Sequence, residues 1–239
     1  MERGALAIVG AQDAPGVGAR SAVLERIRAA LQGEMDDAQP VPRGYRHAGT
    51  GAAPGAPQIV QLFCDRLAHY GVTADRVRGH ELAAAISTVC ARRGVSRIVA
   101  PTNLRWVTRD PRATNDTRPG SLEIVPDDPP LSPAELDRMT GALTGCALGI
   151  AETGTIVLDG AGRSGRRALT LVPDYHLCVI EAEQIVAAVP DAIQVLAKAA
   201  ADGQPLTWVS GPSATSDIEL ERVPGVHGPR TLDVLVIVE

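Results

Sequence analysis

Apolar positions recur along the chain with two periods, and the alternation between them predicts the architecture. Between residues 21 and 31 the segment SAVLERIRAAL places Val23, Leu24, Ile27 and Leu31 at helical spacing, with Ser21 as N-cap. This predicts an amphipathic helix of about three turns. Residues 33–57 follow, dense in Pro and Gly and without any apolar period, the pattern of a linker or of an arm lying over the surface. From residue 57 helix and strand patterns alternate. Helices are predicted over 57–70, opened by Pro57 and closed by Gly71, over 81–93, closed by Gly94, and over 132–140, where SPAE reads as a capping box. Strands are predicted over 72–77, 97–100 and 122–125. Four β-type runs then come in close succession, at 147–151, 155–158, 169–172 and 177–180. Helices over 181–189 and 190–201 and strands over 207–210 and 234–238 complete the pattern. Strands that alternate with helices and then crowd together predict an α/β fold, a central and mostly parallel sheet with helices on both faces. The α/β domain is expected over 57–239, preceded by an N-terminal helix and arm over 1–56.

Composition narrows the function classes. The 239 residues carry 23 Lys and Arg against 28 Asp and Glu, a net charge of −5, whereas a general nucleic-acid binder would show a basic surplus. No run approaches the ~18 apolar residues of a membrane helix. Residues 4–11 are apolar, but Glu2 sits beside Arg3 and no small-x-small cleavage site follows, so a cleaved leader is not expected. The chain is expected in the cytoplasm, with neither nucleic acid nor membrane as a partner. Cys64, Cys90, Cys146 and Cys178 are widely spaced and form no CxxC. Buried free thiols are the expected state, and no metal or cofactor is expected on this chain. Lys198 is the one lysine, so a Schiff base would have a single candidate.

Four patterns in the C-terminal half are rich enough in polar and turn residues to carry chemistry. In GIAETGTIVLDG two apolar strands flank Glu152, Thr153, Gly154 and Thr155. A carboxylate there can act as base or nucleophile beside a Gly that lets a ligand approach, or the segment is simply a hairpin turn. In LTLVPDYH, Asp174 can orient the His176 imidazole, or Pro-Asp is an ordinary turn pair. VSGPSATSDIELE runs from a strand into Ser210, Gly211, Pro212, Ser213, Thr215 and Asp217, whose N–H and hydroxyl groups can cradle an anion or cap a helix. It has neither the Walker lysine nor GxGxxG spacing. In GVHGPR, His227 and Gly228 precede the final strand. Arg163, Arg166 and Arg167, in a Gly-rich loop, can bind an anion or form a solvated face. Ligands of α/β sheets bind outside the carboxyl ends of strands, so all four motifs are expected to converge on one cleft there, with Glu152 as the chemical residue.

The order IAETGT, LVPDYHLCVI, SGPSATSDIELERVPGVHGP and a closing apolar strand resembles the lactate utilization protein C, or LUD-domain, family, from about residue 57 to the C-terminus. The resemblance implies the fold shared by ribose-5-phosphate isomerase, glucosamine-6-phosphate isomerase, the CoA transferases and 5-formyltetrahydrofolate cyclo-ligase. It also implies a part in oxidising L-lactate to pyruvate beside partner subunits that hold the iron–sulfur clusters. One departure stands out: the family commonly reads GPSRTADIE where this chain has Ala214 and Ser216, so an arginine suited to gripping an anion is missing. The expected function is therefore an accessory subunit of L-lactate oxidation with a pocket for a small carboxylate or phosphorylated ligand and no redox centre of its own. The alternatives are a stand-alone enzyme of CoA-transferase or phosphosugar-isomerase type using Glu152, and a regulatory module that binds a small carboxylate.

Overall fold

The computed structural model describes residues 17–31, 40, 42–49, 51–104, 106, 122–215, 223–224 and 228–238. The chain divides into two compact units, residues 1–45 and residues 46–239. In the first, helix α1 (Val17–Leu31) starts four residues before the expected position, so Ser21 lies inside it and caps nothing.

The second unit begins upstream of Pro57. Gly49 N donates to Asp191 Oδ1 at 2.9 Å, Gly55 N to the Ile185 carbonyl at 3.1 Å, and Gln194 Nε2 to the His47 carbonyl at 2.6 Å. The Pro- and Gly-rich arm is thus held largely by its main chain, with only the small side chains of Ala52 and Ala56 packed against the core, which is why it shows no apolar period. The helices that follow are α2 (Pro57–His69), α3 (Leu82–Arg92), the single turn α4 (Pro133–Leu136) and α5 (Val189–Ala201). Pro at the first position opens α2, and Ile59, Val60, Phe63 and Leu67 form its buried stripe.

The strands are β1 (Thr73–Arg78), β2 (Arg97–Ala100), β3 (Glu123–Pro126), β4 (Gly141–Thr144), β5 (Leu148–Ile150), β6 (Thr155–Leu158), β7 (Tyr175–Glu181), β8 (Ile185–Val186), β9 (Thr207–Val209), β10 (Ala214–Thr215), β11 (Val223–Pro224) and β12 (Thr231–Val238). Six of them form a parallel sheet in the order β1-β12-β7-β4-β2-β3. A second sheet, β8-β5-β6-β9, is mixed: β5 and β6 make an antiparallel hairpin, β8 runs parallel to β5, and β9 antiparallel to β6.

Strand period 2 assigns the faces. Tyr175, Leu177 and Val179 of β7 pack with Leu82, Ile86 and Val89 of α3. Cys178 and Ile180, on the opposite face, pack with α2 and with Ile156 and Leu158 of the second sheet. The outer side of that second sheet, Leu148, Ile150 and Val157, is closed by Ala192 and Leu196 of α5. The α/β class with a central parallel sheet and helices on both faces is therefore as expected, and the second sheet is an addition to it.

Three local expectations give way to tertiary context. Residues 181–189 read as helix, but Gln184 Nε2 donates to the carbonyls of Cys146 and Ala147, at 2.9 and 3.1 Å, and holds the chain extended. A short 3-10 turn (Ala182–Gln184) and β8 result, and helix begins only at Val189. Residues 169–172 read as a strand but form the end of a 3-10 turn (Arg167–Thr170) whose Leu169 is buried against Val99, Leu136 and Ala142. The helix expected over 132–140 is one capped turn, and the buried strand β4 begins after four intervening residues.

Phe63 is fully buried at the centre of the α2 face, whereas Ile193 of α5 is 54% exposed. Phe63→Ala is expected to lower unfolding free energy in urea by about 3–5 kcal/mol, and Ile193→Ala by less than about 0.5 kcal/mol. Equal losses would show that the core has been misplaced.

Candidate functional site

His176 is the second residue of β7, and its parity turns the imidazole away from α3 and towards the second sheet. Leu232, its neighbour in register on β12, faces the same way. At the end of β9 the chain leaves the second sheet at Ser210 and turns back through Ser213, whose N–H donates to the Pro229 carbonyl at 2.8 Å. The 3-10 turn at Arg167–Thr170 closes the remaining side. These four segments border a pocket of about 230 Å³, open to solvent on one side and lined by Arg167, Thr170, His176, residues 207–214, Gly228, Pro229 and Leu232.

The cavity lining mixes polar and apolar side chains. His176 is buried, and its Nε2 lies 2.8 Å from the Thr144 hydroxyl. Burial first, and the neighbouring charge of Arg167 second, push its pKa down to about 4, so the imidazole is neutral at pH 7. Arg167 is partly buried and donates from Nη1 to the carbonyl and hydroxyl of Thr170, at 2.7 and 3.0 Å. A chain of hydroxyls leads to the rim: Thr153 Oγ1 is 2.6 Å from Thr155 Oγ1, which is 2.8 Å from Ser210 Oγ. Val209, Pro212 and Leu232 supply apolar surface.

The sequence motifs are partly brought together. His176, Ser210, Gly211, Pro212, Ser213 and Gly228 line the cavity, and Thr155 and Thr153 connect to it through Ser210. Thr215 lies in β10, paired with Val223 of β11. Asp217 and His227 lie outside the described residues. Glu152 is not in the lining: it is exposed, and its carboxylate accepts from Arg46 Nη2 at 2.7 Å, which holds its pKa below the usual carboxylate range. Gly154 does not leave space for a ligand. At φ 62° its missing Cβ would sit 2.7 Å from Arg66 Cβ, so the glycine lets the hairpin press against α2. Gly211, at φ 90°, likewise admits Tyr70, whose Cβ would be 2.6 Å from a Cβ there.

Asp174 does not orient His176. It lies in the lining of a separate cavity of about 630 Å³, on the α3 side, with its carboxylate 3.7 Å from Arg230 Nε. Arg93, in the same lining, is also paired. Arg93 forks onto the buried Asp233 with Nε at 2.8 Å and Nη2 at 2.7 Å, and the Tyr175 hydroxyl donates to the same carboxylate at 3.1 Å.

The expectation of one shared cleft at the carboxyl ends of the parallel strands is corrected accordingly. The 230 Å³ cavity adjoins the amino ends of β7 and β12 and the carboxyl end of β9. Thr170, Trp208 and Leu232 were not legible as site residues, and Arg167 was legible only as one of three arginines. Ala214, where the resembling family commonly carries Arg, is in the lining, so the cation there comes from Arg167.

The LUD domain model matches residues 60–237. The chain is 41% identical over 224 residues to a lactate utilization protein C of Deinococcus radiodurans, covering 92% of this chain and 95% of that protein. A lactate utilization protein C of Halalkalibacterium halodurans is 37% identical over 84 residues, 34% of this chain and 36% of that one. The crystal structure of a DUF162 family protein from Deinococcus radiodurans superposes with a TM-score of 0.59 at 38% identity, covering 76% of this chain and 97% of that one.

The neutral, buried state of His176 makes stability depend on pH with a definite sign. Above about pH 6.5 the imidazole is neutral in both folded and unfolded chains. Between there and pH 4 only the unfolded chain takes up the proton, so stability falls as pH drops, by about 3 kcal/mol across the window. Urea unfolding from pH 7.5 to 4.5 is expected to show this decline, and His176→Phe to flatten it. An equally steep decline in the variant would assign the effect to other groups.

Proposed function

Because the chain belongs to the LUD domain family, we propose that it serves lactate utilization as an accessory subunit in the cytoplasm, binding a small carboxylate while partner subunits carry the iron–sulfur chemistry of L-lactate oxidation. The observation that carries this reading is the 41% identity to a lactate utilization protein C over nearly the whole length of both chains.

Two features of the molecule support it. The 230 Å³ cavity has a cation, hydroxyls and apolar side chains, the combination that suits a small organic acid. The cysteines are split between the two faces of the parallel sheet: Cys90 lies on α3, whereas Cys146 and Cys178, which touch each other, and Cys64 of α2 belong to the opposite face. Clusters held on partners fit that dispersion, because four thiolates at one cluster must converge on it. Among the described residues no helix is long and apolar enough to cross a membrane.

Deleting the gene is expected to abolish growth of the native cell on L-lactate and leave growth on glucose unchanged, with recovery on re-expression. The tagged chain, purified from lactate-grown cells, is expected to bring down iron–sulfur proteins. Undiminished growth of the deletion strain on L-lactate would sink the proposal.

A further inference from the structure

Three arginines lie within five residues of one another, and the fold assigns them different partners. Arg163 Nη1 meets Glu181 Oε1 at 3.0 Å. Arg166 forks onto Asp127, with Nε at 2.7 Å and Nη2 at 2.9 Å. Arg167 has no carboxylate partner among the described residues. Its Nη1 is used by Thr170, and its Nε and Nη2 have no hydrogen-bonding partner among those residues. A guanidinium stays charged at any ordinary pH. Held partly out of water without a counter-ion it is destabilising, and an anion entering the cavity relieves that cost.

The rest of the cavity restricts which anion. A volume of about 230 Å³ equals roughly eight waters at about 30 Å³ each, a size that a short-chain acid fills. Among the described residues Arg167 is the one cationic side chain in the lining and His176 is neutral, so a monoanion is matched one to one there. A phosphate dianion would keep an uncompensated charge.

The tautomer of His176 adds a second requirement. Thr144 is fully buried, and its hydroxyl has His176 Nε2 as its one partner among the described residues. A buried hydroxyl that failed to donate would leave its proton unpaired, so it donates to Nε2 and the imidazole carries its own proton on Nδ1. Nδ1–H has no acceptor among the described residues.

We propose that this cavity binds a short-chain monocarboxylate with an oxygen on the carbon next to the carboxylate, the carboxylate seated on Arg167 and the second oxygen accepting from His176 Nδ1–H. The alkyl end then faces Val209, Pro212 and Leu232. The proposal rests on the small-carboxylate reading above and adds which residues recognise the ligand and what the ligand must carry.

Calorimetric titration of the full chain at pH 7.5 with pyruvate, L-lactate, propionate and inorganic phosphate tests it. Pyruvate and L-lactate are expected to bind about tenfold or more tightly than propionate, the ratio for one lost hydrogen bond to a partner left unpaired, and phosphate not measurably. Arg167→Gln is expected to weaken every carboxylate about tenfold or more, and Arg167→Lys, which keeps the charge without the fork, by less. His176→Phe brings pyruvate down to the level of propionate. A readout on the unaltered protein is independent of variant folding: long-range 1H–15N spectra should show the Nδ1–H tautomer, and pyruvate but not propionate should shift that nitrogen. If none of the acids binds, the small-carboxylate reading itself falls. If they bind and Arg167→Gln binds equally well, that reading stands and the assignment of Arg167 is wrong. Phosphate binding more tightly than pyruvate would overturn the monocarboxylate class.

Discussion

β7 is hydrogen-bonded on both edges, to β12 and to β4, and every residue from Tyr175 to Ile180 is buried. A strand in that position has no solvent face, so each polar side chain it carries must find a partner inside the protein. The two that it carries at its amino end find theirs on opposite sides. Tyr175 reaches Asp233 on the α3 side, and His176 reaches Thr144 beneath the second sheet. The imidazole has a second nitrogen, and none of the described residues satisfies it. A two-sided polar ring on a fully enclosed strand therefore leaves one nitrogen facing the adjoining cavity, and the proposed recognition of a ligand starts from that nitrogen.

The charges obey a related rule. Two of the best-shielded carboxylates, Asp127 and Asp233, each receive a two-pronged guanidinium, from Arg166 and Arg93. A lysine would offer a point charge and could not fork in this way, so the near-absence of lysine from this chain suits its buried acids. Such pairs add little net stability, because desolvation offsets attraction, but removing one partner leaves the other exposed to the full cost. Arg46 and Glu152 are a different case: both are exposed, and their pairing joins the incoming arm to the β5–β6 turn without a large energetic role.

Much of the fold was legible in the sequence, because helix and strand periods are written by side chains that face a core. α2, α3, β2 and β6 lie close to their expected places for that reason. What misled were segments whose conformation is decided by partners distant in sequence. Residues 181–189 have helical composition but are held open by the Gln184 contacts to Cys146 and Ala147. The site was legible by motif and not by geometry. Asp174 and His176 are two residues apart, yet one precedes β7 and the other lies inside it, so they serve different cavities. The meaning of Gly154 depends on α2 lying against the hairpin, which no local pattern encodes. Arg167 could be separated from Arg163 and Arg166 only once Glu181 and Asp127 were seen to occupy the other two.

The position of the cavity also fixes the kind of recognition available to it. Sites at the carboxyl ends of parallel strands commonly use free backbone N–H groups at helix starts and Gly-rich turns, which suits phosphates. Here three backbone donors near the amino ends of β7 and β12 are already engaged by main-chain carbonyls. Arg230 N and Thr231 N both donate to the Asp174 carbonyl, and Ser213 N donates to that of Pro229. Among the described residues the polar side chains at the proposed site include one guanidinium, one neutral imidazole and the hydroxyl chain behind Ser210. A site built from a single charge and a single directed donor discriminates by charge count and by where the second oxygen sits. That is the discrimination a short organic acid requires, and none of it calls for a phosphate-loop signature in the sequence.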